Sequence, residues 1–361
     1  MRILITGNMG YVGPVVAAHF RRVMPDSVLV GYDRGWFGHC LTTTGPLPET
    51  VLNEQKFGDV RNITVDELRG FDAVVHLAAI SNDPMGQRFE AVTDEINHQA
   101  SVAIAKAAAE AGVKHFVFAS SCSVYGIAGD GAPRIESDGL NPLTAYARSK
   151  IDTENSLRAL DNSGMVISCL RFATACGMSP RLRLDLVLND FVAGAIANKE
   201  VSVLSDGTPW RPLIHVRDMA RAIEWAVGRK PENGGKFLTV NVGTERWNYQ
   251  VRDLAQAVGR AMPEANVSIA TSAPPDKRSY KVDFSLFAKL APSHQPQETL
   301  DGAIAELRDQ LGEQGFADPN YRKSYAIRLV TLEKLIESGT VDGHLRQLRE
   351  LPQQQLQGEA A

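Results

Sequence analysis

Short apolar runs alternate with segments of helical spacing through the first half of the chain. Each run is almost entirely apolar, which is expected for strands that helices cover on both faces. Between the runs, the Ala-rich segment 99–111 and the segment 144–160 have helical spacing. This alternation predicts an α/β fold built on a doubly wound parallel sheet. The predicted strands are residues 2–6, 28–33, 71–77, 116–119 and 166–170.

The regular pattern fades beyond about residue 178, where prolines and glycines separate shorter elements. We therefore predict a first domain over residues 1–178. A smaller, discontinuous region over 179–351 follows, and some of its segments return to the first domain. Helical spacing recurs at 325–337 and around 344–351. The polar end of the chain, 352–361, predicts a flexible tail.

A glycine motif joins the first predicted strand to the first predicted helix. Gly7, Gly10 and Gly13 are spaced three apart, and the next apolar run ends at Asp33, about 20 residues further on. Glycines in this context let the backbone approach a pyrophosphate, which then rests on the helix N-terminus. A carboxylate at Asp33 would accept a hydrogen bond from a ribose and repel a 2′-phosphate. The motif predicts a dinucleotide site that prefers NAD.

Tyr146 and Lys150 are four residues apart within a predicted helix. Side chains at this spacing lie on one helical face, so the ammonium can lie close to the phenol. Because a nearby cation favours the phenolate, we expect Lys150 to lower the tyrosine pKa and make Tyr146 a base. This spacing of Tyr and Lys is common by chance, and the glycine motif at the N-terminus is what supports a functional role for the pair.

Composition narrows the class of protein. The 361 residues are 44% apolar and 22% charged, which is ordinary for a globular chain with a buried core. The net charge of −4 gives no general attraction to nucleic acid. No run of 18 uncharged apolar residues predicts a membrane span, and a strand that begins at Arg2 leaves no room for a signal peptide. The four cysteines lack metal-ligand spacing, which predicts reduced thiols in a cytoplasmic protein with no metal site.

Together these motifs resemble the extended short-chain dehydrogenase/reductase family, in its nucleotide-sugar epimerase/dehydratase branch. The resemblance runs over about residues 1–283 and implies a Rossmann-type fold in which 179–351 is mainly a substrate-binding region. It also implies a nucleoside-diphosphate sugar as substrate. Relatives form homodimers through two helices per subunit, which here would be the segments 99–111 and 144–160.

The resemblance assigns roles to individual residues. Ser121 stands four residues before the tyrosine of Val124-Tyr125-Gly126 and completes a catalytic set with Tyr146 and Lys150. Besides Tyr146 and Lys150, the residues implied in cofactor binding are Gly7, Met9, Gly10, Tyr11, Val12, Gly13, Asp33, Arg34, Asp59, Val60, Leu77, Ala78 and Ala79. Besides Ser121 and Tyr146, those implied in substrate binding are Asp83, Ser123, Thr174, Asn189, Arg211 and Arg278.

Some of these substrate assignments have their own physical reasons. Arg211 and Arg278 suit a diphosphate, because each guanidinium can bind two oxygens at once. Asp83 follows a predicted strand at the edge of the sheet where ligands bind, so it is a candidate ligand for a sugar hydroxyl. A capped turn before Pro84 is the alternative for Asp83.

Two departures from the family pattern decide between reactions. Dehydratases of this branch carry an acidic pair just after the catalytic Thr, whereas this chain has Cys122-Ser123 and no carboxylate there. Thr174 replaces an asparagine found in many 4-epimerases. Cys122 and Cys176 are interpreted as small buried thiols.

With no carboxylate placed for dehydration, we predict an epimerase that acts at C4. The alternatives are an NAD(P)H-dependent 4-keto reductase, a dehydratase and, more distantly, a non-catalytic dinucleotide sensor.

Overall fold

A seven-stranded parallel sheet forms the centre of the computed structural model, which describes residues 1–127, 131–160, 164–273 and 278–348. Its strand order is β10-β6-β5-β4-β1-β2-β3, and every ladder is parallel. The predicted doubly wound α/β fold is therefore confirmed. The strands are β1 Arg2–Thr6, β2 Val28–Asp33, β3 Glu54–Phe57, β4 Ala73–His76, β5 His115–Ser121, β6 Val166–Phe172, β7 Thr174–Cys176, β8 Glu200–Val203, β9 Trp210–His215, β10 Phe237–Val242, β11 Asn248–Gln250 and β12 Asn266–Ile269.

Helices cover both faces of this sheet. Side chains alternate along β1, so Ile3 and Ile5 enter one hydrophobic cluster and Leu4 enters the other. Helices α1 and α8 pack together on the first face, and α5 and α6 pack on the second. The α-helices are α1 Gly13–Val23, α2 Val65–Leu68, α3 Asp83–Arg88, α4 Glu90–Thr93, α5 Ser101–Glu110, α6 Ala145–Arg158, α7 Val187–Asn198, α8 Val216–Val227, α9 Val251–Ala261, α10 Ser285–Leu290, α11 Leu300–Glu313 and α12 Arg328–Glu337.

Two strands of the sheet carry no clear signal in the sequence. The edge strand β3 has no fully buried residue, so its composition is polar and the apolar pattern misses it. The opposite edge strand, β10, comes from beyond residue 178 and pairs with β6. A segment of the second region thus returns to the main sheet.

The rest of the second region forms its own small layers beside the carboxyl edge of the main sheet. Strands β7, β9 and β11 form one sheet, and β8 pairs with β12. Helices α7, α9 and α11 pack around a third hydrophobic cluster that also contains Tyr11 from the glycine loop. Across the described residues, no helix is both long and apolar enough to cross a bilayer.

The C-terminal prediction is correct in one part and wrong in another. Helix α12 lies within the predicted stretch 325–337. The helix predicted around 344–351 is wrong as far as the chain is described. Val341 and Gln347 form an antiparallel bridge around a turn, and Leu345 has a left-handed φ of 55°. Residues 349–361, which include the predicted tail 352–361, lie outside the described residues.

Candidate active site

A cavity of about 1160 Å³ opens at the carboxyl edge of the parallel sheet. Parallel strands carry ligands at this edge, because the loops that follow them converge there. All but two of the residues that the sequence predicts as site residues line this cavity. The exceptions are Met9 and Asn189.

The glycine loop forms one wall of the cavity and leaves no space for side chains. Gly7 has a φ of +73°, and a Cβ there would lie 2.6 Å from the Ala78 backbone nitrogen. A Cβ on Gly13 would lie 2.4 Å from the Cα of Asn8. Residues 10–13 lead into α1 and line the cavity, so the start of this helix borders it. The loop therefore fits a pyrophosphate that approaches the backbone closely.

Asp33 lies at the end of β2 and is held by two backbone donors. The Met9 N–H donates to Asp33 Oδ2 at 3.0 Å, and the Gly35 N–H donates to Oδ1 at 2.7 Å. Burial raises the pKa of Asp33, and both backbone hydrogen bonds oppose that rise. Met9 thus positions Asp33 through its backbone, although it does not line the cavity. Arg34 lines the cavity beside Asp33.

Asp59 forms an ion pair with the guanidinium of Arg61. Arg61 Nη2 donates to Asp59 Oδ2 at 2.6 Å, and Arg61 Nε donates to Oδ1 at 3.0 Å. Burial would raise the pKa of Asp59, but the bonds from Arg61 hold it below its ordinary value. Asp59 is therefore a fixed anion in the cavity wall, with Val60 next to it. Leu77, Ala78 and Ala79 form the adjoining wall after β4.

Ser121, Tyr146 and Lys150 meet at the floor of the cavity. Ser121 ends β5, while Tyr146 and Lys150 project from α6, whose start is capped by Thr144. Thr144 Oγ1 accepts a hydrogen bond from the Ala147 N–H at 3.1 Å. The sequence motif alone could not show that a strand end and a helix bring these three side chains together.

The Tyr146 phenol does not have the lowered pKa that the sequence predicts. Burial raises the pKa of Tyr146 to about 12, and a hydrogen bond with the Ser121 hydroxyl only partly opposes this. Lys150 Nζ lies 5.6 Å from the centroid of the tyrosine ring and donates to the Ala119 carbonyl at 2.7 Å. Burial outweighs the effect expected from the ammonium, so the expectation of a lowered pKa is wrong for the protein alone.

A buried ion pair fixes the helix that carries Tyr146 and Lys150. Arg171 Nη2 on β6 lies 2.7 Å from Glu154 Oε2 on α6, and both side chains are almost fully buried. Ser120 Oγ on β5 donates to Glu154 Oε1 at 2.5 Å. These bonds tie α6 to two strands one turn beyond Lys150. Removing one partner of such a pair typically costs about 3–5 kcal/mol.

Ser123 provides a further polar group near Ser121, Tyr146 and Lys150. Its N–H donates to Ser121 Oγ at 3.1 Å. The Ser123 hydroxyl lines the cavity and is buried with no hydrogen-bond partner among the described residues. A buried hydroxyl without a partner is costly, so this one is available to a ligand.

A second buried arginine near Tyr146 is absent from the sequence prediction. Arg183 Nε and Nη2 donate to the two oxygens of Asp185 at 2.9 and 2.8 Å, and its Nη1 donates to Ser81 Oγ at 3.0 Å. Burial raises the pKa of Tyr146, and the positive charge of Arg183 opposes only part of that rise. Asn82 Nδ2 donates to Asp185 Oδ2 at 2.6 Å. The signal in the sequence is charged residues that alternate with leucines just after a buried strand, at 181–185.

Asp83 and Arg278 form an ion pair in the cavity wall. Arg278 Nη1 donates to Asp83 Oδ2 at 2.8 Å, and Thr144 Oγ1 donates to Asp83 Oδ1 at 2.7 Å. Asn82, the residue before Asp83, caps α3, so a capped turn and a cavity-lining carboxylate coexist here. Arg211 on β9 also lines the cavity. The two predicted diphosphate arginines therefore border one space.

Asn189 lies outside the lining and supports it instead. Asn189 Oδ1 accepts from the Gly177 N–H at 3.0 Å, and its Nδ2 donates to the Arg183 carbonyl at 3.0 Å. Tyr11 Oη donates to the Gly177 carbonyl at 2.6 Å. These bonds link the glycine loop to the segment that carries Thr174, which lines the cavity on β7.

The comparisons with known proteins agree with this architecture. The family model described as "NAD dependent epimerase/dehydratase family" matches residues 3–243. A Bacillus subtilis (strain 168) protein named uncharacterized UDP-glucose epimerase YtcB is 29% identical over 260 residues, which are 67% of this chain and 77% of that protein. The UDP-glucose 4-epimerase of Streptomyces lividans is 27% identical over 274 residues, which are 72% of this chain and 80% of that enzyme.

Solved structures share the fold. MoeE5 in complex with UDP-glucuronic acid and NAD is 25% identical with a TM-score of 0.73, and the match covers 87% of this chain and 99% of that one. The UDP-glucose 4-epimerase from Bifidobacterium longum, in complex with NAD+ and UDP, has a TM-score of 0.72 at 19% identity. That match covers 88% of this chain and 100% of the Bifidobacterium chain.

The buried charge of Lys150 predicts a conflict between stability and function. Burial lowers the pKa of Lys150 from 10.5 to about 8, so the charged form destabilises the fold below pH 8, and this cost is relieved as pH rises towards 10.5. We expect Lys150→Met to raise the free energy of unfolding at pH 7 by about 1–3 kcal/mol while activity is lost. Denaturant unfolding measures this, with Lys289→Met on the exposed face of α10 as control. A less stable Lys150→Met protein would contradict it.

Proposed function

Because the chain belongs to the NAD dependent epimerase/dehydratase family, we propose that it is an NAD-dependent epimerase of a nucleoside-diphosphate sugar, acting at C4. The observation that carries the proposal is one cavity that joins three groups of residues. The glycine loop and Asp33 border one end, Arg211 and Arg278 border another, and Ser121 with Tyr146 and Lys150 lies at the floor.

The chain's own residues fit a dinucleotide. A pyrophosphate would rest on the loop at Gly7, Gly10 and Gly13, and a Cβ at Gly7 or Gly13 would clash with neighbouring backbone atoms. Asp33 keeps lone pairs for ribose hydroxyls, because its backbone donors take one site on each oxygen. A buried carboxylate there repels a 2′-phosphate, which favours NAD. When bound, the nicotinamide supplies a group that accepts a hydride from the sugar and returns it.

In the proposed chemistry Tyr146 accepts the proton of the sugar hydroxyl, and Ser121 and Lys150 assist this transfer. As the phenolate, Tyr146 takes the proton from the C4 hydroxyl and becomes a phenol, and it returns the proton to the oxygen after the keto sugar has turned over. Ser121 holds the hydroxyl in place by hydrogen bonding beside the phenol. Lys150 stabilises the phenolate while it exists, because its ammonium lies close to the ring. Since the proton and the hydride both come back to the sugar, no external acid, base or reductant is needed.

The carboxylates in the cavity do not suit dehydration. Asp83 pairs with Arg278, and Asp185 pairs with Arg183. Burial would raise the pKa of Asp185, but Arg183 holds it below its ordinary value, so Asp185 is a poor proton donor. Cys122 is also unsuitable, because burial raises the pKa of its thiol well above neutral pH. Reversible oxidation at the Ser121, Tyr146 and Lys150 set is then the simplest reaction available.

A 4-keto reductase is the second candidate. The observation that favours it is Arg34, which lines the cavity directly beside Asp33 and could contact a 2′-phosphate. The same three catalytic residues would serve that reaction, with NADPH consumed in each cycle.

The substrate region supports a diphosphate-linked sugar. Arg211 and Arg278 come from different parts of the second region and border the same space. The buried Ser123 hydroxyl and Thr174 line the cavity on the Tyr146 side, where sugar hydroxyls would need partners. Asp83 becomes available to a sugar hydroxyl if Arg278 turns to the diphosphate.

Removal of the Tyr146 hydroxyl tests the proposed base. We expect Tyr146→Phe to fold and to bind cofactor as the wild type does, while the rate with the true substrate falls by roughly 10²- to 10⁴-fold. Steady-state rates and cofactor titration measure the two effects. Tyr325→Phe, at an exposed tyrosine, is the matched control. A variant that kept more than about a tenth of the wild-type rate would rule out Tyr146 as the base.

Isotope retention separates an epimerase from a reductase. Substrate deuterated at C4 should give a product that keeps its deuterium, with no added nicotinamide, because the hydride returns to the carbon it left. Mass spectrometry of products from UDP-, dTDP-, GDP- and CDP-sugars measures this. If no sugar gave a redox-neutral isomer while a 4-keto sugar consumed NAD(P)H, the reductase would replace the epimerase.

We also propose a homodimer formed through α5 and α6, which pack side by side on one face of the sheet. Ala103 is exposed on α5, and its small side chain would permit close helix packing. The mass in solution at micromolar concentration should be twice that of the chain, and Ala103→Arg should reduce it to the monomer. Ala317→Arg, on an exposed loop, should leave the dimer intact. A monomeric wild type would contradict the proposal.

A further inference from the structure

Arg328 is a buried arginine at the start of α12 that neither the sequence motifs nor the matched family region includes. It is 1% exposed and lines the cavity. Its Nη2 donates to the Arg181 carbonyl at 2.8 Å, and its Nη1 donates to the Tyr325 carbonyl at 3.1 Å. The guanidinium lies 4.9 Å from the centroid of the Phe37 ring. No carboxylate among the described residues forms an ion pair with it.

The neighbouring arginines, unlike Arg328, form ion pairs with carboxylates among the described residues. Arg181 pairs with Glu49 at 2.6 Å, and Arg183 pairs with Asp185 at 2.8 Å. Burial lowers the pKa of Arg328 to about 10, and the charges of Arg183 and Arg181 act in the same direction, while Asp185 opposes them in part. Taking an ion out of water costs several kcal/mol unless a counter-charge compensates. The cavity thus contains a buried positive charge that an anionic ligand would stabilise.

The surroundings of Arg328 place that charge at the dinucleotide end of the cavity. Phe37 belongs to the loop that follows β2 and Asp33. Arg181 Nε donates to the Gly38 carbonyl in the same loop at 3.3 Å. Two residues before Arg181, Ser179 Oγ donates to the Tyr11 carbonyl in the glycine loop at 2.6 Å. The glycine loop is where a dinucleotide diphosphate binds, whereas Arg211 and Arg278 border the cavity from other elements.

The C-terminal segment also closes this end of the cavity. Ile327 and Leu332 line it together with Arg328. Further along, Arg61 Nη1 donates to the His344 carbonyl at 2.9 Å, and Arg61 Nη2 donates to the Leu345 carbonyl at 3.1 Å. Residues 327–345 therefore run from the cavity wall at Arg328 to the Asp59–Arg61 segment, which also borders the cavity.

We propose that Arg328 binds the diphosphate of the dinucleotide, and that the C-terminal segment it belongs to retains the cofactor between turnovers. The assignment rests on the proposed NAD dependence. A redox-neutral epimerase has no need to exchange its cofactor, and a wall that carries a counter-charge for the diphosphate slows its departure.

Direct binding measurements test the assignment without reference to catalysis. NADH fluorescence titration gives the affinity, and stopped-flow displacement by excess NAD gives the dissociation rate. We expect Arg328→Met to weaken NADH binding roughly 10- to 100-fold and to speed its dissociation, because a charge-assisted hydrogen bond is lost. Arg328→Lys should recover part of the affinity, since it keeps the charge.

The control separates loss of charge from loss of helix docking. Arg88 Nε lies 3.4 Å from Glu333 Oε1 on α12, so Arg88→Met weakens the contact of the helix without touching Arg328. We expect this variant to keep the wild-type affinity for NADH, while its dissociation rate reports the share of the retention that depends on the docking of α12. Circular dichroism and thermal unfolding show whether each variant folds. If Arg328→Met does not fold, the NADH affinity of Arg328→Lys provides the test instead.

A parallel titration with UDP identifies which diphosphate is bound. UDP affinity should be unchanged in Arg328→Met. Loss of UDP affinity with NADH affinity intact would overturn the assignment to the dinucleotide, and unchanged NADH binding would overturn Arg328 as a binding residue while the proposed function stands. If the wild type bound no NADH at all, the proposed function would fail and this assignment with it.

Discussion

The buried ion pair between Glu154 and Arg171 is the interaction on which the geometry of the site depends. It joins α6 to β6, and Ser120 on β5 joins the same carboxylate. Since Lys150 lies one turn before Glu154, this anchor sets both the height and the rotation of the helix over the sheet. A buried pair of this kind adds little to stability compared with apolar packing, but it permits few alternative arrangements.

The parallel sheet supplies the second constraint. Because every strand of the main sheet runs in one direction, the loop after each strand ends at the same edge. The glycine loop after β1, Asp33 at the end of β2 and Ser121 at the end of β5 are therefore neighbours in space although they are distant in the chain. The second region then covers this edge and turns an open cleft into a cavity.

Charge is balanced unevenly within that cavity. Arg183 and Arg278 have carboxylate partners, whereas Lys150 and Arg328 are buried beside backbone carbonyls and aromatic rings. Burial lowers the pKa of both unpaired cations. An unpaired buried cation is a cost to the fold, and such costs concentrate where a protein binds or converts a ligand. Both cations border the space that a dinucleotide would fill.

The sequence by itself determined the parallel α/β fold, the glycine loop with Asp33 and the placement of Tyr146 and Lys150 four residues apart on one helix. These features depend on local spacing and on continuous burial, which leave a pattern in adjacent residues. The polar edge strand β3, the pairing of β10, the role of Asn189 as a support and the presence of Arg183 and Arg328 in the cavity wall were decided only by the tertiary structure. Each depends on contacts between segments far apart in the chain. The pKa of Tyr146 was decided there too, because desolvation is set by everything packed around a group, whereas the four-residue spacing to Lys150 describes one neighbour.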